Sequence, residues 1–128
     1  MDRCLTPELM DDPAIDVREH QRALSGLARL NRLSRAAQIL WPAVREVGQR
    51  RGGTVSLLDI ATGAGDLPIA LAQRAAATGI SLAVHACDCS AVALDHARSR
   101  AAAVGVALEC WEQDVIHEPL AARGQFDV

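Results

Sequence analysis

A glycine turn set between carboxylates is the part of this sequence best equipped for chemistry. Asp59 precedes the run Ala61-Thr62-Gly63-Ala64-Gly65, and Asp66 follows it. Gly63 and Gly65 can take backbone angles that side chains forbid, and they let a ligand come close to the main chain. Asp88 stands twenty-three residues beyond Gly65. At the end of a second strand, such a carboxylate accepts two hydrogen bonds from a ribose diol. Turn and acid together point to an adenosine-containing cofactor without saying which. The plainer alternative is that Asp88 only helps Ser90 cap the next helix.

Those residues need strands and helices to hold them. Residues 55–60 form a short apolar run suited to a buried strand, and the glycine turn follows it. Residues 66–77 read as a helix and 81–87 as a second strand. Ser90 is an N-cap for a helix that ends at Gly105. Residues 106–111 are a third strand, and Phe126-Asp127-Val128 begins a fourth. Two βαβ units in a row give a parallel sheet with right-handed crossovers. The fold class expected is α/β: a Rossmann-like parallel sheet with helices on both faces and a helical N-terminal extension. Residues 1–53 would be that extension, and 54–128 the cofactor-binding half-domain.

Within the extension, Thr6-Pro7-Glu8 reads as the start of a short helix ending near Met10. A longer helix runs over about residues 16–49. Leu24, Leu27, Leu30, Ala37, Leu40, Val44 and Val47 recur at helical spacing and form its expected buried face. Pro42 should bend or break it near Trp41, and Gly52-Gly53 ends it.

Composition narrows the function classes. The net charge is −3, and all 13 basic residues are arginine, spread without a basic stripe. That argues against a nucleic-acid surface. No apolar run is long enough to span a bilayer. Acidic residues crowd the N-terminus, so it is no secretory signal, and a cytoplasmic location is the default. Cys87-Asp88-Cys89 could place two thiols on one face, but it lacks a second pair at zinc-like spacing. Cys4, Cys87, Cys89 and Cys110 are therefore read as reduced thiols. His20, His85, His96 and His117 show no metal spacing, and no hydrolase triad motif occurs.

Two residues distinguish the cofactors. A dinucleotide turn wants a third glycine where this chain has Pro68. Asp66 places a negative charge where a pyrophosphate would sit, although it could equally be a plain N-cap. A cofactor bearing an ammonium and a sulfonium suits that charge.

Residues 57–66, Leu-Leu-Asp-Ile-Ala-Thr-Gly-Ala-Gly-Asp, resemble motif I of class I S-adenosylmethionine-dependent methyltransferases. His85-Ala86-Cys87-Asp88-Cys89-Ser90 resembles the family's second acidic motif, and Leu94-Asp95-His96-Ala97-Arg98 the helix after it. Glu112-Gln113-Asp114-Val115 resembles the third motif, and Gln125-Phe126-Asp127-Val128 the start of the fourth strand. Asn31-Arg32-Leu33-Ser34, followed by Trp41, resembles the ubiquinone/menaquinone-biosynthesis type.

The resemblance implies S-adenosylmethionine as cofactor and methyl transfer to a small-molecule acceptor. It places Asp59 and the Gly63–Gly65 turn at the methionine part and Asp88 at the ribose, with Ala61 and Cys89 also among the cofactor-binding residues. Asp114 and the Val115 amide fall at the adenine. Ala61 departs from the family's usual first glycine; its methyl is tolerable at ordinary backbone angles. No catalytic base and no metal ligand can be named. The chain stops as the fourth strand begins, so it is expected to be a fragment that turns over no acceptor alone and self-associates through an exposed sheet edge. The alternatives are an NAD-binding oxidoreductase domain, a non-catalytic S-adenosylmethionine-binding module, or a fragment that works with a partner chain. Asp88→Ala should weaken cofactor binding by roughly thirtyfold at unchanged stability.

Overall fold

The computed structural model describes residues 15–120 and 124–128. The short helix expected at residues 6–10, and Cys4, lie outside them. The described chain runs α1 (Ile15–Arg51), β1 (Val55–Ile60), α2 (Asp66–Ala77), β2 (Leu82–Asp88), α3 (Ala91–Ala103) and β3 (Leu108–Glu112). The strands form one parallel sheet in the order β1-β2-β3, with Leu57 opposite Val84 and Val84 opposite Leu108. Phe126-Asp127-Val128 lies on the free side of β1. Val128 donates to the Ser56 carbonyl at 3.1 Å and accepts from the Leu58 amide at 3.0 Å, the alternation of a parallel pair. Strand order therefore reverses at β1, and a ligand crevice in such sheets opens at that reversal.

The core lies between the sheet and the helices. Trp41 and Val44 from α1, Leu71 and Ala75 from α2, and Leu57 and Val84 from the sheet are buried together. The chain forms the expected α/β, Rossmann-like parallel sheet, and the three helices among the described residues gather on one of its faces. Successive right-handed crossovers that step the same way across a sheet leave their helices on one side. Accordingly α1, α2 and α3 border one groove, lined by Leu30, Leu33, Ile69, Ala70 and Val104. On the other face, His85 and Phe126 meet edge to face at 5.1 Å, and Trp111 stacks beside Phe126 at 6.5 Å.

Helix α1 corrects two further readings. It passes through Pro42 without ending. Pro42 and Gln38, whose carbonyl loses its donor, are both exposed, so water can serve that carbonyl. On either side of the proline, Trp41 and Val44 are buried and hold the helix to the core. The buried face is Ala37, Trp41 and Val44, whereas Leu27 and Leu30 are each 60% exposed. At 1.5 Å per residue a helix of 37 residues is about 55 Å long, far longer than the strands beneath it. Its N-terminal half consequently has less sheet to cover.

Candidate functional site

The carboxyl ends of the three strands lie side by side and are laced together by backbone hydrogen bonds. Thr62 N–H donates to the Cys87 carbonyl at 3.0 Å, and Gln113 N–H to the Asp88 carbonyl at 2.9 Å. Asp59, Asp88 and Asp114 thus stand at or just beyond the ends of β1, β2 and β3. Each strand runs parallel to its neighbour, so each ends on the same edge and delivers one acid to it.

Asp88 binds this edge most directly. Its Oδ2 accepts from the Gly63 amide at 2.8 Å, and its Oδ1 from the Ser90 amide at 2.9 Å. One carboxylate therefore fixes the glycine turn to the start of α3. Ser90 is the N-cap of that helix, and its hydroxyl accepts from the Ala93 amide at 3.2 Å. The capping alternative for Asp88 is thus real, but it does not exhaust the carboxylate. Each oxygen keeps a second lone pair for a ligand hydroxyl. The expectation that Asp88 could be lost without harm to stability is corrected by these two bonds.

The turn itself is strained at one residue. Gly63 and Gly65 have φ of 59° and 76°, and Ala61 has φ 58°, so it does not keep ordinary angles. A left-handed alanine costs about 1–2 kcal/mol relative to the right-handed form. Gly65 is needed twice, since a Cβ on it would lie 3.0 Å from the Ala97 Cβ of α3. Above Gly63, by contrast, a Cβ would meet only Arg29 Nη2 at 3.9 Å. The open side of the turn is the side on which a ligand could rest. Thr62 contributes a buried hydroxyl there that closes no hydrogen bond of ordinary geometry among the described residues.

Asp59 is half-buried at the same place. Burial pushes its carboxyl above the ordinary value; the neighbouring Thr62 hydroxyl opposes the rise and the Asp88 charge adds to it. With the folded value raised, the native state holds more protons than the unfolded chain between the ordinary and the raised pKa. Stability therefore falls as pH rises through that window and stays lower above it. Asp59→Asn should remove this fall and raise the melting temperature at neutral pH. Thermal melts of both proteins across the mildly acidic range would show it, and parallel pH profiles would refute it.

Asp114 is held differently. Its Oδ1 accepts from the Ile116 amide at 3.0 Å, and its Oδ2 pairs with His117 Nδ1 at 2.6 Å. The His117 hydrogen bond, ahead of the Ile116 amide, lowers its carboxyl below the usual range. Val115 follows it, half-buried in the turn after β3. Gln113, which sequence reading passed over, is buried and steers this loop. Its Oε1 accepts from Trp111 Nε1 at 2.6 Å, and its Nε2 donates to the Pro119 carbonyl at 3.0 Å.

Asp66 departs most from expectation. Gly65 is the N-cap of α2 and no side chain caps it. The Asp66 carboxylate instead pairs with Arg29 of α1 at 2.9 Å and with Arg100 of α3. Two guanidiniums neutralise it, so the argument that Asp66 repels a pyrophosphate loses its force. Pro68 is fully buried at the third helical position, where its missing donor is one of the orphans of the first turn. Cys89 is disulfide-bonded, which corrects the reading of reduced thiols and removes it from any metal pair. Cys87 is buried inside the sheet, whereas Cys89 follows the last residue of β2.

Residues 57–128 match the family described as a methyltransferase domain. None of the curated proteins matches the chain. An S-adenosylmethionine-dependent methyltransferase from Clostridium acetobutylicum is 20% identical and covers 82% of this chain at a TM-score of 0.53. A Pyrococcus abyssi tRNA (uracil-54, C5)-methyltransferase, solved with S-adenosyl-L-homocysteine, is 24% identical over 67% of the chain at a TM-score of 0.44. The chain spans 42% and 19% of those two proteins. Among the described residues, no helix is long and apolar enough to cross a membrane.

Proposed function

The chain belongs to the methyltransferase-domain family, whose cofactor is S-adenosylmethionine, and from that premise we infer that it supplies the cofactor-binding half of a methyl transfer to a small-molecule acceptor. The observation that carries this reading is the row of three strand-end carboxylates behind a glycine turn that Asp88 braces. The residues present fit the cofactor: Gly63 is open on one side, and the buried Thr62 hydroxyl beside it has a hydrogen bond to offer.

When bound, the cofactor supplies an activated methyl for in-line displacement. Asp59 would face the ammonium group, whose charge favours the ionised carboxylate that burial disfavours. Asp88 would accept from the ribose hydroxyls with its remaining lone pairs, and Asp114 with the Val115 amide would take the adenine edge. The rate gain from such a half-site is positional, because holding reactants at attack distance removes much of the barrier. No described residue is assigned as a base. The cytoplasm remains the proposed location.

Calorimetry tests the cofactor. S-adenosylmethionine or its demethylated product should bind more tightly than NAD. Tighter binding of NAD would sink this reading in favour of an oxidoreductase domain.

A further inference from the structure

The loop after β3 is tied at both ends and in its middle. Gln113 closes it from behind: its side chain accepts from Trp111 Nε1 at 2.6 Å and donates to the Pro119 carbonyl at 3.0 Å. Between those ties the chain makes one turn, in which the Asp114 carbonyl accepts from the His117 and Glu118 amides at 3.2 and 2.8 Å. The turn brings the His117 ring back to the carboxylate three residues before it, with Nδ1 2.6 Å from Oδ2. Burial does not explain this contact, as the His117 side chain is 62% exposed and that of Asp114 24%. A surface ring fixed on a strand-end acid sets that acid's orientation.

The chemistry of the contact follows from its charge state. The His117 hydrogen bond is the largest cause holding the Asp114 carboxyl below the usual range, so at neutral pH it is ionised and can only accept. The proton in the contact therefore sits on His117 Nδ1, whether the ring is neutral or charged. The Ile116 amide, at 3.0 Å, fixes Oδ1. One anchored oxygen leaves a carboxylate free to pivot; His117 anchors the second, and two anchors set its plane. Each oxygen keeps a lone pair for a ligand donor.

We propose that His117 is the positioning residue that makes Asp114 selective, so that the site takes a 6-amino purine and rejects a 6-oxo purine. The proposal rests on the reading of the site as one for S-adenosylmethionine. A 6-amino purine donates an exocyclic N–H to the held carboxylate. A 6-oxo purine presents a carbonyl oxygen at the same place, and two acceptors repel. A carboxylate free to pivot turns away from that oxygen at little cost. A pinned one cannot, so holding it both strengthens the right contact and penalises the wrong one.

The test is calorimetry on the full chain with S-adenosylhomocysteine and its 6-oxo counterpart, S-inosylhomocysteine. The wild type should prefer the adenine ligand by about tenfold or more, the scale of one hydrogen bond to a charged group. His117→Phe keeps a ring but no donor. It should weaken the adenine ligand several-fold and leave the 6-oxo ligand bound no more weakly. His117→Asn places an amide N–H where Nδ1 stood, and should keep most of the preference. Melting temperatures of both variants should stay near that of the wild type, because the ring is exposed. Equal weakening of both ligands by His117→Phe would overturn the proposal, as His117 would then only shape the loop. Preference kept by His117→Phe and lost by His117→Asn would overturn it in favour of a ring that stacks on the base. A wild type that binds both ligands equally would overturn it and leave the cofactor reading standing. A wild type that binds neither would remove the reading of the site and the proposal with it.

Discussion

Replacing Asp88 with alanine should cost both stability and cofactor affinity, the largest combined loss of any single change at this site. The stability loss comes from the Gly63 and Ser90 amides, which donate to its two oxygens at 2.8 and 2.9 Å. Leaving a part-buried donor unsatisfied costs about 1–3 kcal/mol, so the pair should cost roughly 2–6 kcal/mol. The affinity loss comes from the ribose diol and should be roughly thirtyfold or more. Asp88→Asn keeps an acceptor for one amide and presents an NH2 to the other, so it should fall between. Denaturant melts and calorimetry separate the two effects. An unchanged melt would mean the brace contributes nothing, and unchanged affinity would leave Asp88 as a helix-capping residue only.

Gly65→Ala should be the more destabilising of the two glycine substitutions in the turn. At φ 76° the new side chain pays about 1–2 kcal/mol for its left-handed conformation. Its Cβ would also lie 3.0 Å from the Ala97 Cβ, and overpacking of that kind costs roughly 1–3 kcal/mol. Gly63→Ala carries only the first cost, because the space beyond it is open to 3.9 Å. Its methyl would fall on the ligand side, so it should cost less stability than Gly65→Ala and impair binding. Unfolding curves for both variants decide the matter. Equal losses would mean that α3 yields to the added methyl and that the close approach of α2 and α3 is not a constraint.

Sequence alone determined the parts of this protein whose causes are local. Residues 55–60 and 66–77 have the observed bounds of β1 and α2, because an apolar run, a glycine turn and a helix-forming stretch are each set by neighbouring residues. Ser90 caps α3 for the same reason. The second and third strands start one and two residues later than expected, since a strand's first residue depends on its partner's register. The motif acids also emerged from sequence, as alternating strands and helices must bring the ends of parallel strands to one edge.

Tertiary structure decided what depends on distant chain. Pro42 has a breaker's chemistry, yet the burial of Trp41 and Val44 carries α1 through it. Leu27 and Leu30 keep helical spacing, but periodicity does not say where the sheet beneath a helix ends. Ala61 takes a left-handed angle that its residue type disfavours, because the strand end and the Asp88 brace hold the turn on either side of it. Asp66 reads as a lone charge in sequence, and only folding brings it Arg29 from 37 residues away and Arg100 from the opposite direction. Sequence spacing fixes which groups are available to a site; charge balance within the site depends on which of them meet through space, and that is set by packing.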